Sequence, residues 1–415
     1  MHSWPTVEVP ALSAVTEPLP QLQLHDSASG AVTTVSPPGL HDPATMYVCG
    51  ITPYDATHIG HAATYVTFDL VNRYWRASVR TVTYVQNVTD VDDPLLERAT
   101  RDGVDWRDLA REQTDLFRSD MTHLRVIPPE HYVGVVEEMD VVSASVARLL
   151  ETGAAYRIPD DEYPDVYFDI STTGRFGYES RYDRETMLAF SAERGGDPDR
   201  PGKRDPLDPL LWRCARPEEP SWESPLGAGR AGWHIECAVI AGKLLGERID
   251  LQGGGSDLIF PHHECSAAHA EALTGAARFA GHYTHTGMLA YQGTKMSKSL
   301  GNLVFVSRLI ASGVDPAAIR IALLSFHYRT DREWTDDMPT AATQRLNRWR
   351  AAAAAPSQAD SGTASRTVDA LVAALADDLD TPTAFRVLDD WAASPGDDSD
   401  AVVTAVDALL GIPLR

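Results

Sequence analysis

The stretch Met46-Tyr47-Val48-Cys49-Gly50-Ile51-Thr52-Pro53-Tyr54-Asp55-Ala56-Thr57-His58-Ile59-Gly60-His61 limits what this chain can become more than any other. It opens as a short apolar strand, breaks at Gly50 and Pro53, and enters a helix at about Gly60. Ala62, Tyr65, Val66, Phe68, Leu70 and Tyr74 carry the helix by their spacing. A strand, a loop and a helix start in this order commonly receive an anionic ligand in α/β proteins, because backbone N–H groups and the helix dipole meet there. The loop also holds a cysteine, Cys49, and two histidines, His58 and His61. A second stretch, Lys295-Met296-Ser297-Lys298-Ser299, follows the strand-like run Tyr283 to Leu289.

Between the two stretches the chain keeps an α/β pattern. Thr81 to Val85 alternates as a strand and runs into Gln86-Asn87-Val88-Thr89-Asp90-Val91-Asp92-Asp93. Polar residues straight after a buried strand lie at the ligand-binding edge of an open sheet. Asp92 or Asp93 before Pro94 also suits a helix cap, and both readings can hold together. Helices are expected over Pro94 to Arg101, Trp106 to Leu124 and Tyr132 to Leu150. Residues 153 to 232 read as an irregular insertion dense in Pro, Gly, Asp and Arg. A helix to about Leu245, a strand at Ile249 to Leu251, a glycine-rich turn at Gly253 to Gly255 and a helix opening near His262 follow. Helices are expected again over Ser307 to Ser312, Pro316 to Phe326 and Pro339 to Ala355, with a small helical module at the end. Residues before 45 read as a lead-in with one edge strand at Leu22 to Leu24.

Charge and cysteine count exclude some classes. The net charge is −23, so bulk electrostatics do not help the chain hold a polyanion. Four cysteines, Cys49, Cys214, Cys237 and Cys265, are too few for a disulfide framework and suit a reducing cytoplasm. No basic region followed by an apolar run opens the chain, so no signal peptide is expected, and no stretch approaches the roughly 18 apolar residues of a membrane span. Cys49 and Cys237 are 188 residues apart, and His262 follows 25 residues later. That spacing is not that of a local zinc motif. On spacing alone each cysteine is more often a small hydrophobe than a ligand.

The pair His-Ile-Gly-His and, far downstream, Lys-Met-Ser-Lys-Ser resembles the signature of class I aminoacyl-tRNA synthetases. The resemblance implies a Rossmann-like catalytic domain with a parallel sheet over 46–152 and 231–305, an inserted connective subdomain at 153–230, a lead-in at 1–45 and a helical C-terminal region at 306–415. It also implies that ATP and a carboxylate form an acyl-adenylate and pyrophosphate, with Mg²⁺ accompanying the ATP. His58 and His61 would donate to the α-phosphate, and Lys295 and Lys298 would neutralise the leaving pyrophosphate. Gly60, Gly255, Asp257, Met288 and Ser297 complete the implied ATP site.

Three further runs resemble cysteinyl-tRNA synthetases: Cys49 before the first motif, Gly232-Trp233-His234-Ile235-Glu236-Cys237, and Pro261-His262-His263-Glu264. They imply Zn²⁺ bound by Cys49, Cys237 and His262, with Thr52, Thr89 and Trp233 lining a cysteine site, although Trp233 also reads as core packing. The synthetases place a glutamate ligand where this chain has Ser266, and Cys265, one residue earlier, is an alternative fourth ligand. Three protein ligands and an open position would select cysteine by its thiol.

Three readings of the whole follow: tRNA charging, transfer of cysteine to a small amine, and a non-catalytic zinc-binding regulator. Intact His58, His61, Lys295 and Lys298 weigh against the third. From Pro356 to Arg415 there are 11 Asp and 3 Arg with no Lys or Glu, a poor surface for tRNA. The chain resembles most closely the actinobacterial ligases of the mycothiol pathway that join L-cysteine to glucosaminyl-inositol. The shared runs are Thr52 to His58, Tyr84 to Asp93 and Gly253 to Glu264, and the likeness thins in the tail. A cytoplasmic monomer using ATP, L-cysteine and glucosaminyl-inositol, without tRNA or membrane, is expected, with Arg194 to Asp197 as the candidate grip on the amino-sugar.

Overall fold

The computed structural model describes residues 1–12, 15, 18–35, 43–55, 57–78, 81–296, 301–355, 365–395 and 399–415. The chain begins with a hairpin, β1 (Gln23–Asp26) against β2 (Ala31–Thr34), where the sequence suggests one edge strand. β3 (Ala44–Val48) then leads through the cysteine- and histidine-bearing loop into α1 (Ile59–Ala77) and β4 (Val82–Val88). α2 (Asp93–Asp102) and α3 (Trp106–His123) cross to β5 (His131–Gly134), which α4 (Val135–Glu151) follows. Asp92 caps α2 and Pro94 stands in its first turn, as the sequence suggests. The expected helix from Tyr132 begins instead as β5, because its first residues pair with β4 at the sheet edge.

The stretch expected to be irregular forms a four-stranded antiparallel sheet: β6 (Ala155–Arg157), β7 (Val166–Phe168), β8 (Leu210–Cys214) and β9 (Gly229–Ala231). α5 (Arg184–Glu193) lies between β7 and β8. Strands of three to five residues are too short for alternation to show in the sequence. α6 (Trp233–Leu245), β10 (Ile249–Gly255), α7 (Glu264–Thr274) and β11 (Ala280–Thr286) return the chain to the main sheet.

That sheet runs β11-β10-β3-β4-β5, every neighbour parallel. Chain order reverses between β3 and β10, which is the switch point where open α/β sheets take their ligands. The glycine run belongs to β10 itself rather than to a turn. A Cβ on Gly253 would come within 2.3 Å of the Phe68 ring on α1, so glycine lets helix and strand close together. Helices cover both faces. α1 packs one face, and α4 and α6 pack the other with the antiparallel sheet.

Beyond the main sheet, β12 (Leu289–Tyr291) pairs with β13 (Thr294–Lys295). α8 (Val306–Ala311), α9 (Pro316–Leu324), β14 (Arg332–Trp334) and α10 (Met338–Ala353) follow. α11 (Arg366–Ala376), α12 (Thr381–Ala393) and α13 (Ser399–Ala405) then join the α1 face. A buried ion network ties this helical end to α1. Asp69 meets Arg73 at 2.7 Å and also pairs with Arg320 of α9. Among the described residues no helix is long and apolar enough to cross a membrane.

Candidate active site

The switch point gathers three ligand-type side chains from three elements. Cys49 follows β3, and its N–H still donates to Gly253 O of β10 at 3.2 Å. The next N–H, from Gly50, donates to Asn87 Oδ1 at 2.8 Å. A Cβ on Gly50 would stand 1.6 Å from the Asn87 carbonyl oxygen, so only glycine can turn the chain here. The turn holds Cys49 Sγ 3.9 Å from Cys237 Sγ in α6. His262, just before α7, brings Nε2 to 3.2 Å from Cys237 Sγ. All three ligand atoms are buried and lie within 4.8 Å of one another.

Two thiols and an imidazole suit zinc. Ordinary zinc bond lengths place tetrahedral sulfurs about 3.8 Å apart and sulfur and nitrogen about 3.5 Å apart, close to these distances. Burial pushes the Cys49 thiol up. Burial acts the same way on Cys237, but the Cys49 S–H it accepts and His262 beside it outweigh that and hold Cys237 below the usual thiol range. One thiolate is thus accommodated by the protein alone. Cys265 is buried but lies outside the three-residue group. Ser266 Oγ lies 2.7 Å from His262 O and 2.9 Å from His234 O, so its hydroxyl is occupied by backbone carbonyls.

A layer of imidazoles supports the three. His262 Nδ1 lies 3.0 Å from His234 Nδ1, and the Trp233 ring stacks on His262 at 4.3 Å. Cys49 Sγ lies 3.1 Å from His263 Nε2. His263 Nδ1 lies 2.7 Å from His285 Nε2, and His285 Nδ1 lies 2.8 Å from Ser27 Oγ. Burial pushes His234 and His263 well down and His285 down to about 3, so these rings are neutral. The Glu179 carboxylate lies 3.9 Å from His263 and 4.0 Å from His285, and burial pushes it well up. Of this layer the quoted runs contain Trp233, His234 and His263, beside the expected ligands Cys237 and His262. Glu179 sits in the insertion and gives no local sign.

Cys49 of the cluster lines a cavity of about 790 Å³. Thr52, His58, Gly60, His61, Trp233, Gly255, Asp257 and Met288 all line it. Thr89 does not. It is 2% exposed, and its Oγ1 accepts from Asn87 Nδ2 at 3.1 Å behind the wall. His58 caps α1 by accepting the Gly60 N–H at 3.1 Å, and its ring stacks on His61 at 3.8 Å. The chain beyond the second motif returns against the first. Ile59 N–H donates to Val304 O at 2.9 Å, and His58 bridges Phe305. Lys295 ends β13, while Ser297 and Lys298 lie outside the described residues. Met288 N–H is donated to Asp331 at 2.7 Å. Arg194 donates to the carbonyls of Asp257 and Phe260 at 2.8 and 2.7 Å and packs over Phe190. Its guanidinium therefore ties α5 to the end of β10.

Residues 37–344 match the family described as the catalytic domain of class I (C) tRNA synthetases. A Nakamurella multipartita protein, named L-cysteine:1D-myo-inositol 2-amino-2-deoxy-alpha-D-glucopyranoside ligase, is 63% identical over 415 residues, 100% of each chain. A Tsukamurella paurometabola protein of the same name is 60% identical, with 99% of each chain covered. Among solved structures, Mycobacterium tuberculosis methionyl-tRNA synthetase with methionyl-adenylate aligns with a TM-score of 0.59 at 16% identity, covering 89% of each chain. That likeness is one of fold.

Proposed function

The chain belongs to the class I (C) tRNA synthetase family, and from that premise we propose that it joins L-cysteine to the amine of glucosaminyl-inositol at the expense of ATP. The products are the cysteinyl amide, AMP and pyrophosphate, a step of mycothiol biosynthesis. The observation that carries the reading is the buried Cys49, Cys237 and His262 cluster, of which Cys49 lines the switch-point cavity.

Cys49, Cys237 and His262 would hold zinc, which when bound would supply a preference for a thiolate that serine cannot match. Trp233 covers the His262 face and closes one side of the cysteine site. His58 and His61 stand at the N-terminus of α1, where donors and the helix dipole favour the α-phosphate charge of the activation step. Lys295 and Lys298 act on the departing pyrophosphate, and Mg²⁺ enters with ATP. Thr52, and Gly255 and Asp257 at the end of β10, line the cavity where the adenylate would sit. Thr89 acts from behind the wall through Asn87 rather than by direct contact.

The acceptor is read as the amino-sugar and not tRNA. The stretch from Pro356 carries 11 Asp against 3 Arg. Phe385 and Trp391, the aromatic side chains that could stack on bases, are 1% and 4% exposed. All four cysteines are unpaired, which fits a reducing cytoplasm. The test is exchange of pyrophosphate into ATP without any acceptor. Cysteine should support it, serine should not, Lys298→Ala should lose it with its metal intact, and Cys237→Ser should lose metal and exchange together. Equal exchange with serine would contradict the reading.

A further inference from the structure

The acceptor amine needs its own place in this cavity, and one corner of the wall has unmet polar capacity. Asp92, half-buried at the start of α2, spends Oδ1 on the Asp93 N–H at 2.8 Å. Its Oδ2 meets no donor among the described residues. Glu236 on α6 is 2% exposed, its Oε2 has no partner, and Asp92 is the strongest charge acting on it. Arg230 on β9, 4% exposed, binds Asp93 and Glu219 through Nη2 and leaves Nε without a partner. Glu97, one turn along α2, is exposed to the cavity and makes no hydrogen bond or ion pair among the described residues.

Buried polar atoms without partners are rare and call for a ligand or an ion. The excess of carboxylates calls for a cation, and the guanidinium beside them for a neutral oxygen. An ammonium flanked by hydroxyls, as on an amino-sugar, offers both. The α-ammonium of cysteine offers a cation without flanking hydroxyls, and the phosphates of ATP offer only negative charge. We propose that Asp92 binds the ammonium of the acceptor and takes its proton, with Glu97 and Arg230 holding the neighbouring hydroxyls. The proposal rests on the functional reading above.

In the step, one ammonium proton passes to Asp92 and the freed nitrogen pair attacks the carbonyl carbon of the cysteinyl adenylate. The C–N bond forms, the carbonyl carbon–oxygen bond to phosphate breaks, and AMP leaves with that electron pair. The second nitrogen proton passes to the departing phosphate. Burial pushes the Asp92 carboxyl up to about 6, a better match to an amine than an ordinary carboxylate.

Asp92→Asn keeps the helix cap and removes the charge, since asparagine caps as well as aspartate. Enzyme carrying preformed cysteinyl adenylate is mixed with glucosaminyl-inositol or with hydroxylamine, which is already neutral at pH 7. Transfer to glucosaminyl-inositol should fall about 100-fold, the usual size of a general-base effect, while hydroxylamine capture stays near the parent rate. Glu97→Gln should raise KM for glucosaminyl-inositol about 10-fold, the loss of one charge-assisted hydrogen bond. Parent-like transfer by Asp92→Asn, or equal loss with both nucleophiles, overturns the proposal. If Asp92→Asn does not fold, an unchanged acceptor KM in Glu97→Gln overturns it. A parent that is captured by hydroxylamine but makes no amide with glucosaminyl-inositol contradicts the functional reading itself.

Discussion

His234→Ala tests whether the second layer of imidazoles sets the grip on zinc. His262 directs Nε2 at Cys237 and Nδ1 at His234, and with zinc on Nε2 its proton belongs on Nδ1. His234 is held neutral by burial and can accept that proton's hydrogen bond. Removing the ring leaves the His234 carbonyl in place, and Ser266 Oγ keeps its contact with it at 2.9 Å. The variant removes the outer hydrogen bond of a metal-bound imidazole together with the ring's packing against Trp233. Such outer-shell losses weaken metal binding about 10- to 100-fold, or about 1.4 to 2.7 kcal/mol. Zinc affinity is measured by competition with a chromogenic chelator, and urea unfolding of the metal-free protein separates any loss of stability. Cysteine-dependent exchange at saturating zinc should recover toward the parent. A zinc affinity indistinguishable from the parent would refute the reasoning.

Other consequences follow from the same structure. Asp69→Asn leaves Arg73 and Arg320, 0% and 1% exposed, without their shared carboxylate, and should cost about 3 to 5 kcal/mol in urea unfolding. A loss below about 1 kcal/mol would mean that the carbonyls around the two guanidiniums suffice. Asp120 is buried with Oδ2 unpartnered, and burial pushes it up to about 7. Its folded value lies above the unfolded one, so its contribution is fully present below about pH 4 and is lost as pH rises through about 7. Asp120→Asn should accordingly raise Tm more at pH 8 than at pH 5, and a gain independent of pH would contradict this. Trp233→Ala removes the ring stacked on His262 and should raise KM for cysteine about 2- to 10-fold without changing KM for ATP, read by pyrophosphate exchange.

Local signals were legible where the chemistry is local. The strand, the Gly50 turn and the helix start at His58 lie in one continuous stretch, so β3 and α1 could be placed from it. The zinc candidates were not legible from spacing, because tertiary packing brings Cys49, Cys237 and His262 together from three elements. Only the resemblance of the surrounding runs pointed to them. Glu179 was invisible for a related reason. It is set beneath His263 by the carboxylate of Glu264, which accepts the N–H groups of Gly177, Glu179 and Ser180 at 2.7, 3.1 and 2.8 Å. Nothing in the insertion's sequence announces that clamp. The glycine run misled because Gly253 serves close packing against Phe68 rather than a turn. Thr89 pointed to the right strand end but stands one layer too deep.

The most direct measurement is a comparison of acceptors. Purified protein with ATP, Mg²⁺ and labelled L-cysteine is incubated either with glucosaminyl-inositol or with tRNA. The account predicts the cysteinyl amide of glucosaminyl-inositol, with AMP and pyrophosphate formed in equal amounts and no label on tRNA. Efficient charging of tRNA with no amide product would contradict it.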